Sequence, residues 1–235
     1  MLVVTTFSQA GHELYAKRCL ESLINRFPGR IVAYTEEEID LPGIEQRSFF
    51  SIPGVSAYLE RLKRQPGSDG QGPNGYDYRY DAAKFCRKVF AQDAVFDEDQ
   101  YVFWIDADCV AIQDMTEKAL SDLVSDMPFC YLGRKGEQAY TETGFLGFNT
   151  KHEKFQEFRS KYLSYFTSGE IFGQLKGWHD CIAFDHARQG IQGRNLSPEG
   201  HGMGNVMGMT KIGKYLVHFK GNRKYSNARK DALGV

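Results

Sequence analysis

At 235 residues, 42% of them hydrophobic, the chain is long enough to bury one sizeable core and short for two domains. A formal net charge of −1 gives no support for general binding to nucleic acid or membrane surfaces. No apolar run approaches the ~20 residues of a transmembrane helix, and Met-Leu-Val-Val-Thr-Thr-Phe at the start has no basic lead of a signal peptide. Five cysteines, with no C-x-x-C pair and no Cys/His cluster at zinc spacing, point to buried reduced thiols and a cytoplasmic setting.

Residues 2–7 are apolar and β-branched, and predict a strand ending in Thr5, Thr6 and Phe7. After a Ser8–Gly11 loop, Ala16, Leu20, Leu23, Ile24 and Phe27 fall at helical spacing. Pro28-Gly29 stops that helix, and Ile31-Val32-Ala33-Tyr34 is the next strand. Strand, helix, strand makes a βαβ unit, which sets the loops after Thr5 and Tyr34 side by side at one sheet edge. No Gly-x-Gly-x-x-Gly or Walker lysine loop accompanies it, so neither a dinucleotide nor a P-loop site is predicted. Residues 41–80 read as irregular, and the Gly-rich 66–75 as a mobile loop near the site.

From Asp81 a second helix turns Ala82, Phe85, Cys86, Val89 and Phe90 to the core. Asp81, Lys84 and Lys88 on its other side suit a solvated face; alternatively Arg79 and Lys84 meet an anionic ligand. Tyr101 to Ile105 then form a buried strand that delivers Asp106 and Asp108 at its carboxyl end, where open α/β sheets bind ligands. Positions i and i+2 share a side of a strand, so the two carboxylates converge; a divalent cation or a shared proton would relieve their repulsion. The blander reading of Asp106-Ala107-Asp108 is a turn.

Asp114 and Glu117 suggest a capping box for a helix reaching Met127, followed by a strand at 128–132. Residues 140–149 form an apolar strand carrying Glu142, Gly144 and Gly147. Phe155, Phe158, Tyr162, Tyr165 and Phe166 repeat at helical spacing and read as core packing rather than a sugar platform. Trp178-His179-Asp180 opens another helix, with Asp180 as its possible N-cap. The chain closes with a strand ending in His218 and a basic tail.

Taken together, the N-terminal βαβ unit, the apolar strand ending Asp106-Ala107-Asp108, and His218-Phe-Lys-Gly221-Asn-Arg-Lys224 as H-x-x-G-x-x-K resemble the GT-A-type glycosyltransferases. The last spacing is similar to that of the glycogenin-like and bacterial galactosyltransferase branch, although Tyr225-Ser226 stands where Pro-Trp often follows. The resemblance implies a single α/β domain, 1–235, with a mixed central sheet flanked by helices. Its nucleotide-binding half would span about 1–112 and its acceptor-side half about 113–235. It implies Asp106, Asp108 and His218 as ligands of Mn²⁺ or Mg²⁺, the imidazole favouring Mn²⁺. Thr5, Thr6, Phe7, Tyr34, Arg79, Lys84, Asp106, Ala107, Gly221 and Lys224 would hold the nucleotide-sugar, with UDP the nucleotide of that branch. Glu142, Trp178, His179 and Asp180 would face the acceptor, with Asp180 first and Glu142 second as the catalytic carboxylate.

The function expected is thus metal-dependent transfer of a hexosyl or pentosyl group to a hydroxyl on a glycan, a lipid-linked acceptor or a protein. Two other readings remain. Asp106-Ala-Asp108-Cys-Val110 is also similar to the first motif of haloacid-dehalogenase-like phosphatases, with Asp106 as nucleophile. That motif normally opens its domain, whereas a βαβ unit precedes it here, and the later Gly-Asp-x-x-x-Asp pair is missing. A non-catalytic nucleotide-sugar binder is the third reading, separated from an enzyme by turnover.

Overall fold

The computed structural model of the chain describes residues 1–136, 140–197 and 205–221. Strand β1 (Leu2–Phe7) is buried along nearly its whole length, as a β-branched strand covered on both faces should be. The Ser8 hydroxyl accepts from the Gly11 amide and starts a helical stretch, which passes through one π-helical turn, His12–Ala16, into α1 (Lys17–Arg26). Strand β2 (Arg30–Thr35) returns parallel to β1, from Leu2 opposite Arg30 to Phe7 opposite Thr35. The βαβ unit is where the hydrophobic pattern puts it.

Residues 41–80 are more ordered than their turn-rich composition suggests. They contain strand β3 (Glu45–Ser48), helix α2 (Val55–Leu62) and a hairpin of β4 (Asp69–Gly72) and β5 (Gly75–Asp81). Polar Glu-Gln-Arg-Ser has no strand signature of its own. It is held by parallel pairing to β2 and by guanidinium ties from Arg30 and Arg47 to Glu45 and Glu98, a case of tertiary context overriding propensity. The expected mobile loop at 66–75 is therefore corrected to a hairpin that turns at Pro73-Asn74.

Helix α3 (Ala82–Asp93) is capped by Asp81, whose carboxylate accepts from the Lys84 amide at 2.9 Å. Strands β6 (Tyr101–Ile105) and β7 (Cys109–Ala111) follow. The helix expected over 114–127 is only α4 (Glu117–Ser121); its cap is Thr116, whose hydroxyl accepts from the Ala119 amide, and turns carry the chain onward. Then come β8 (Phe129–Leu132), β9 (Glu142–Asn149), α5 (Phe155–Thr167), α6 (Glu170–Gln174), α7 (Asp180–Ala187), β10 (Arg194–Asn195) and β11 (Leu216–His218).

The seven-stranded mixed sheet has the order β10-β8-β9-β6-β1-β2-β3. Strands β3, β2, β1 and β6 run parallel, and β9 opposes both β6 and β8. Alternation along β6 feeds two cores. Val102 and Trp104 pack with α2, α3, α5 and α7, while Phe103 and Ile105 pack with α1 and the region of α4. Phe155, Phe158, Tyr162 and Phe166 are buried in the first of these, so their stripe is core. Because β1 pairs with β2 on one side and β6 on the other, the strand order switches at β1, and the carboxyl ends of β1 and β6 share one edge.

Candidate active site

Asp106 follows directly on β6, its amide bonded to the Gly144 carbonyl of β9 at 2.9 Å. A tight turn, Cys109 amide to Asp106 carbonyl at 2.9 Å, carries the chain through Ala107 and Asp108 into β7. Strand β11 then pairs antiparallel with β7, His218 opposite Cys109, and the Phe219 amide bonds the Asp108 carbonyl at 2.9 Å. This small ladder brings a C-terminal histidine to the aspartates: His218 Nε2 stands 3.0 Å from Asp108 Oδ1 and 3.8 Å from Asp106 Oδ2. Asp106 and Asp108 lie in the tight turn rather than at alternate positions of a strand, and His218, nominated through the resemblance, stands beside them.

On its other flank Asp106 meets Lys88, a buried lysine of α3. The ammonium reaches Asp106 Oδ1 at 2.8 Å, Asp180 Oδ2 at 2.9 Å and the Thr143 carbonyl at 2.5 Å, and lies 4.9 Å from the Trp104 ring centroid. Trp104 Nε1 adds a bond to Asp106 Oδ1 at 2.7 Å. Burial would push Asp106 up, yet Lys88 and then His218 hold its carboxyl below the usual range. Burial would likewise lower Lys88, but Asp106 and Asp180 raise it above its ordinary value, so the ammonium stays charged. The solvated face assigned to Asp81, Lys84 and Lys88 is corrected accordingly: Lys84 is exposed, whereas Asp81 and Lys88 are buried. A signal was present, because Asp81, Phe85, Lys88 and Gln92 follow one another at 4-3-4 spacing beside the apolar stripe.

Behind His218 lies Glu142, 3.6 Å from Nδ1, itself paired with Arg134 and with Lys220 at 2.8 Å. Burial favours a neutral Glu142, and Lys220 and His218 reverse that and keep it ionised. Gly144 makes room for the imidazole, since a Cβ there would meet His218 Cε1 at 2.7 Å. Burial would lower His218, but its bond to Asp108 and the charges of Asp108, Asp106 and Glu142 raise it. Among the described residues, three fixed cations (Lys88, Arg134, Lys220) therefore face four carboxylates (Asp106, Asp108, Asp180, Glu142). A proton on His218, or a cation in its place, would sit between Asp106, Asp108 and Glu142.

The donor set fits a divalent cation. Asp108, Cys109 and His218 bring ligand atoms within 4.8 Å of one another, and Asp106 borders them with a side chain that is 29% exposed. The Cys109 thiol is pushed well up by burial, then by Asp108 and Asp106, and points to the Gly144 carbonyl, so hard oxygens and one imidazole are the available ligands. A second group, His179, Asp180 and Cys181, has its carboxylate already committed to Lys88 and Thr143.

The remaining nominated residues divide. Thr5, Thr6, Phe7 and Tyr34 end β1 and β2, where Thr6 Oγ1 bonds the Tyr34 carbonyl at 2.7 Å; Thr5, Phe7 and Tyr34 are buried. Asp180 is 1% exposed and opens α7, whose N-cap is His179. His179 sits among the rings of Tyr78, Phe85 and Tyr140, and Trp178 against Tyr80 and Phe172. Arg79 pairs with Asp77 on the hairpin, and Lys84 lies over the Phe85 ring; neither bonds to Asp106. Gly221 adopts a left-handed φ of 64°, and Lys224 lies outside the described residues. The pairing partners Lys88, Trp104, Thr143, Arg134 and Lys220 were not nominated from the sequence as site residues.

No protein-family model matches the chain, and a search of curated proteins finds no match. Solved structures do resemble it. The apo structure of the bifunctional glycosyltransferase WbbM superposes with a TM-score of 0.57 at 13% identity, over 94% of this chain and 46% of that one. Apo mouse xyloside xylosyltransferase 1 gives 0.51 at 11%, over 87% and 85%. The glycosyltransferase GlyE of Streptococcus pneumoniae gives 0.47 at 15%, over 82% and 44%, too distant to carry an argument. The chain thus spans less than half the length of two of the three. At these identities the likeness concerns architecture: the chain has a GT-A-type glycosyltransferase fold.

Proposed function

We propose that the chain is a metal-dependent glycosyltransferase that moves a hexosyl or pentosyl group from a nucleotide-diphosphate sugar, with UDP the favoured nucleotide, to a hydroxyl acceptor. The observation that carries this reading is the meeting of Asp106, Asp108 and His218 at the edge where β1 and β6 end. These three would hold Mn²⁺ or Mg²⁺, which when bound offsets charge on a departing diphosphate. Lys88 fixes Asp106 from behind, and Glu142 fixes the imidazole, as partners of metal ligands commonly do. No described helix is long and apolar enough to cross a membrane.

For the acceptor proton, Asp180 and Glu142 are both buried and bonded to cations. That favours a front-face route, in which a donor phosphate oxygen takes the proton, over a side-chain general base. Asp180 and Glu142 then act as positioning residues. The front-face route retains the anomeric configuration, so the anomer of the product seen by NMR separates the two.

The phosphatase reading asks Asp106 to attack as a nucleophile, yet Oδ1 accepts from Lys88 and Trp104. Thermal stabilisation by nucleotide diphosphates, each with and without Mn²⁺, is the test. A shift with UDP that requires the metal and vanishes in Asp108→Ala supports the transferase. No shift with any nucleotide, together with monoester hydrolysis that Asp106→Ala abolishes, replaces it with the phosphatase. Turnover of the nucleotide-sugar separates an enzyme from a binding protein.

A further inference from the structure

Strand β5 reads Gly-Tyr-Asp-Tyr-Arg-Tyr-Asp, with Tyr76, Tyr78 and Tyr80 at alternate positions; its register against β4 shifts between the Gln71–Tyr76 and Asp69–Asp81 pairs, and the Arg79 guanidinium lies 5.9 Å from the Tyr80 ring centroid. The three tyrosines are 53%, 56% and 37% exposed, half of the large hydrophobic side chains exposed among the described residues. Three such rings in a row on one short strand form a patch of the kind that marks binding.

The hairpin that displays them is anchored at both ends. Tyr76 donates to Asp81 Oδ2 at 2.8 Å, the Ala83 amide bonds the Ser68 carbonyl at 3.0 Å, and the Trp178 amide bonds the Arg79 carbonyl at 2.5 Å. Gly70, at a left-handed φ of 76°, leaves space for the Tyr76 ring, which a Cβ would meet at 2.8 Å. The anchors set the tyrosines against the segment that opens α7. Tyr80 packs on Trp178 with ring centroids 5.3 Å apart, and Tyr78 on His179 at 6.1 Å. His179 precedes Asp180, which shares Lys88 with Asp106.

We infer that this hairpin is the acceptor platform, and that the acceptor is a neutral glycan whose pyranose ring stacks on Tyr78 and Tyr80. The inference rests on the transferase reading and specifies its second substrate. A tyrosine offers a flat apolar face with a hydroxyl at its rim, which matches a sugar ring that is apolar on its C–H face and polar at its edge. The adjoining Asp77–Arg79 pair supplies planar acceptors and donors for hydroxyls. Of the three aspartates in residues 69–81, Asp77 pairs with Arg79 and Asp81 is a buried helix cap, so the hairpin presents little net charge, which suits an uncharged sugar.

The experiment is saturation-transfer NMR on the full chain with UDP and diamagnetic Mg²⁺ present. Its probes are maltose, lactose, cellobiose, mannobiose and an unglycosylated serine-rich peptide. Transfer to one or more disaccharides is expected, with affinity about tenfold weaker in Tyr78→Ala and in Tyr80→Ala and retained in Tyr78→Trp. Both alanine variants should keep the wild-type thermal shift with UDP and Mn²⁺, which shows that the donor half is intact. No transfer to any disaccharide from protein that binds UDP, equal transfer from the variants, transfer to the peptide alone, or self-association that Tyr78→Ala abolishes would each overturn the inference. Failure of UDP to bind, with tyrosine-dependent sugar binding intact, would instead overturn the transferase reading and leave the platform standing.

Discussion

Asp106 has two neighbourhoods, and they answer the same electrostatic problem differently. Toward α3, its charge is met by Lys88, a cation built into the chain, shared with Asp180 and enclosed by Trp104 and Thr143. Toward β11, the charges of Asp106 and Asp108 are met by His218, a group that is cationic only when protonated. A fixed buried cation makes a rigid wall, and removing it strands two carboxylates. A titratable one makes a place that can exchange its proton for a metal ion. The first side should therefore govern stability, and the second should govern ligand binding.

The largest test of this division is Lys88→Met. Stranding Asp106 and Asp180 should cost about 3–5 kcal/mol, a fall in Tm of roughly 10 °C for a chain of this size. Adding Asp180→Asn should recover part of the loss, because the two changes share one interaction. A Tm within about 2 °C of wild type would show that the pair is not a structural support.

Asp108→Ala should do the converse. Without metal, its effect on stability should be the smaller of the two, about 1–2 kcal/mol, the loss of one polar contact with His218. The stabilisation by UDP and Mn²⁺, about 2.7 kcal/mol at 100 times the dissociation constant, should vanish. A large loss of stability in the metal-free variant would break the comparison.

The two sides should also differ in pH. His218 is raised by its folded-state partners, so in the metal-free protein its stabilising contribution is complete below about pH 6.5, the unfolded value, and is lost as pH rises through the folded one. A metal ligand must be unprotonated, so Mn²⁺ affinity should run the other way, falling up to about tenfold per pH unit below that raised pKa and levelling off above it. Lys88, pushed above its ordinary 10.5, should contribute no such slope near neutrality. Denaturant titrations of wild type and His218→Asn from pH 5 to 9, with and without Mn²⁺, should show slopes of opposite sign that the variant lacks.

This division also marks what the residues disclose unaided. Asp106 and Asp108 are nominated because an apolar strand leads straight into them, and His218 because the spaced motif it opens resembles that of the GT-A branch. All three signals are local. For Lys88 the local signal is faint, its spacing with Asp81, Phe85 and Gln92 competing with its place in a row with Lys84, because what buries it comes from β6, β9 and α7, elements joined only in the folded chain. The βαβ unit is legible for the same reason as the aspartates. Strand β3 and the hairpin are not, since polar Glu-Gln-Arg-Ser and the Gly-rich turn owe their conformations to β2, Ser68 and Trp178.

The smallest effect discriminates most finely among the ligands. Cys109 lies between Asp108 and Val110, and its sulfur is close enough to His218 and Asp108 to share a cation with them. Burial and the neighbouring carboxylates raise its thiol well above the ordinary value, and the S–H is directed to the Gly144 carbonyl at 3.8 Å. A thiol held in that form is a small apolar group, so Cys109→Ala should cost about 1 kcal/mol of stability or less and leave Mn²⁺ affinity within about twofold. If the sulfur were a ligand, metal-induced loss of its proton would be required, and Co²⁺ in place of Mn²⁺ would show a thiolate charge-transfer band. That band in wild type, abolished by Cys109→Ala together with a loss of affinity, would move the metal from the Asp106 side of His218 to the Cys109 side. Its absence leaves two carboxylates and one imidazole, the set whose charge complements the lysine across Asp106.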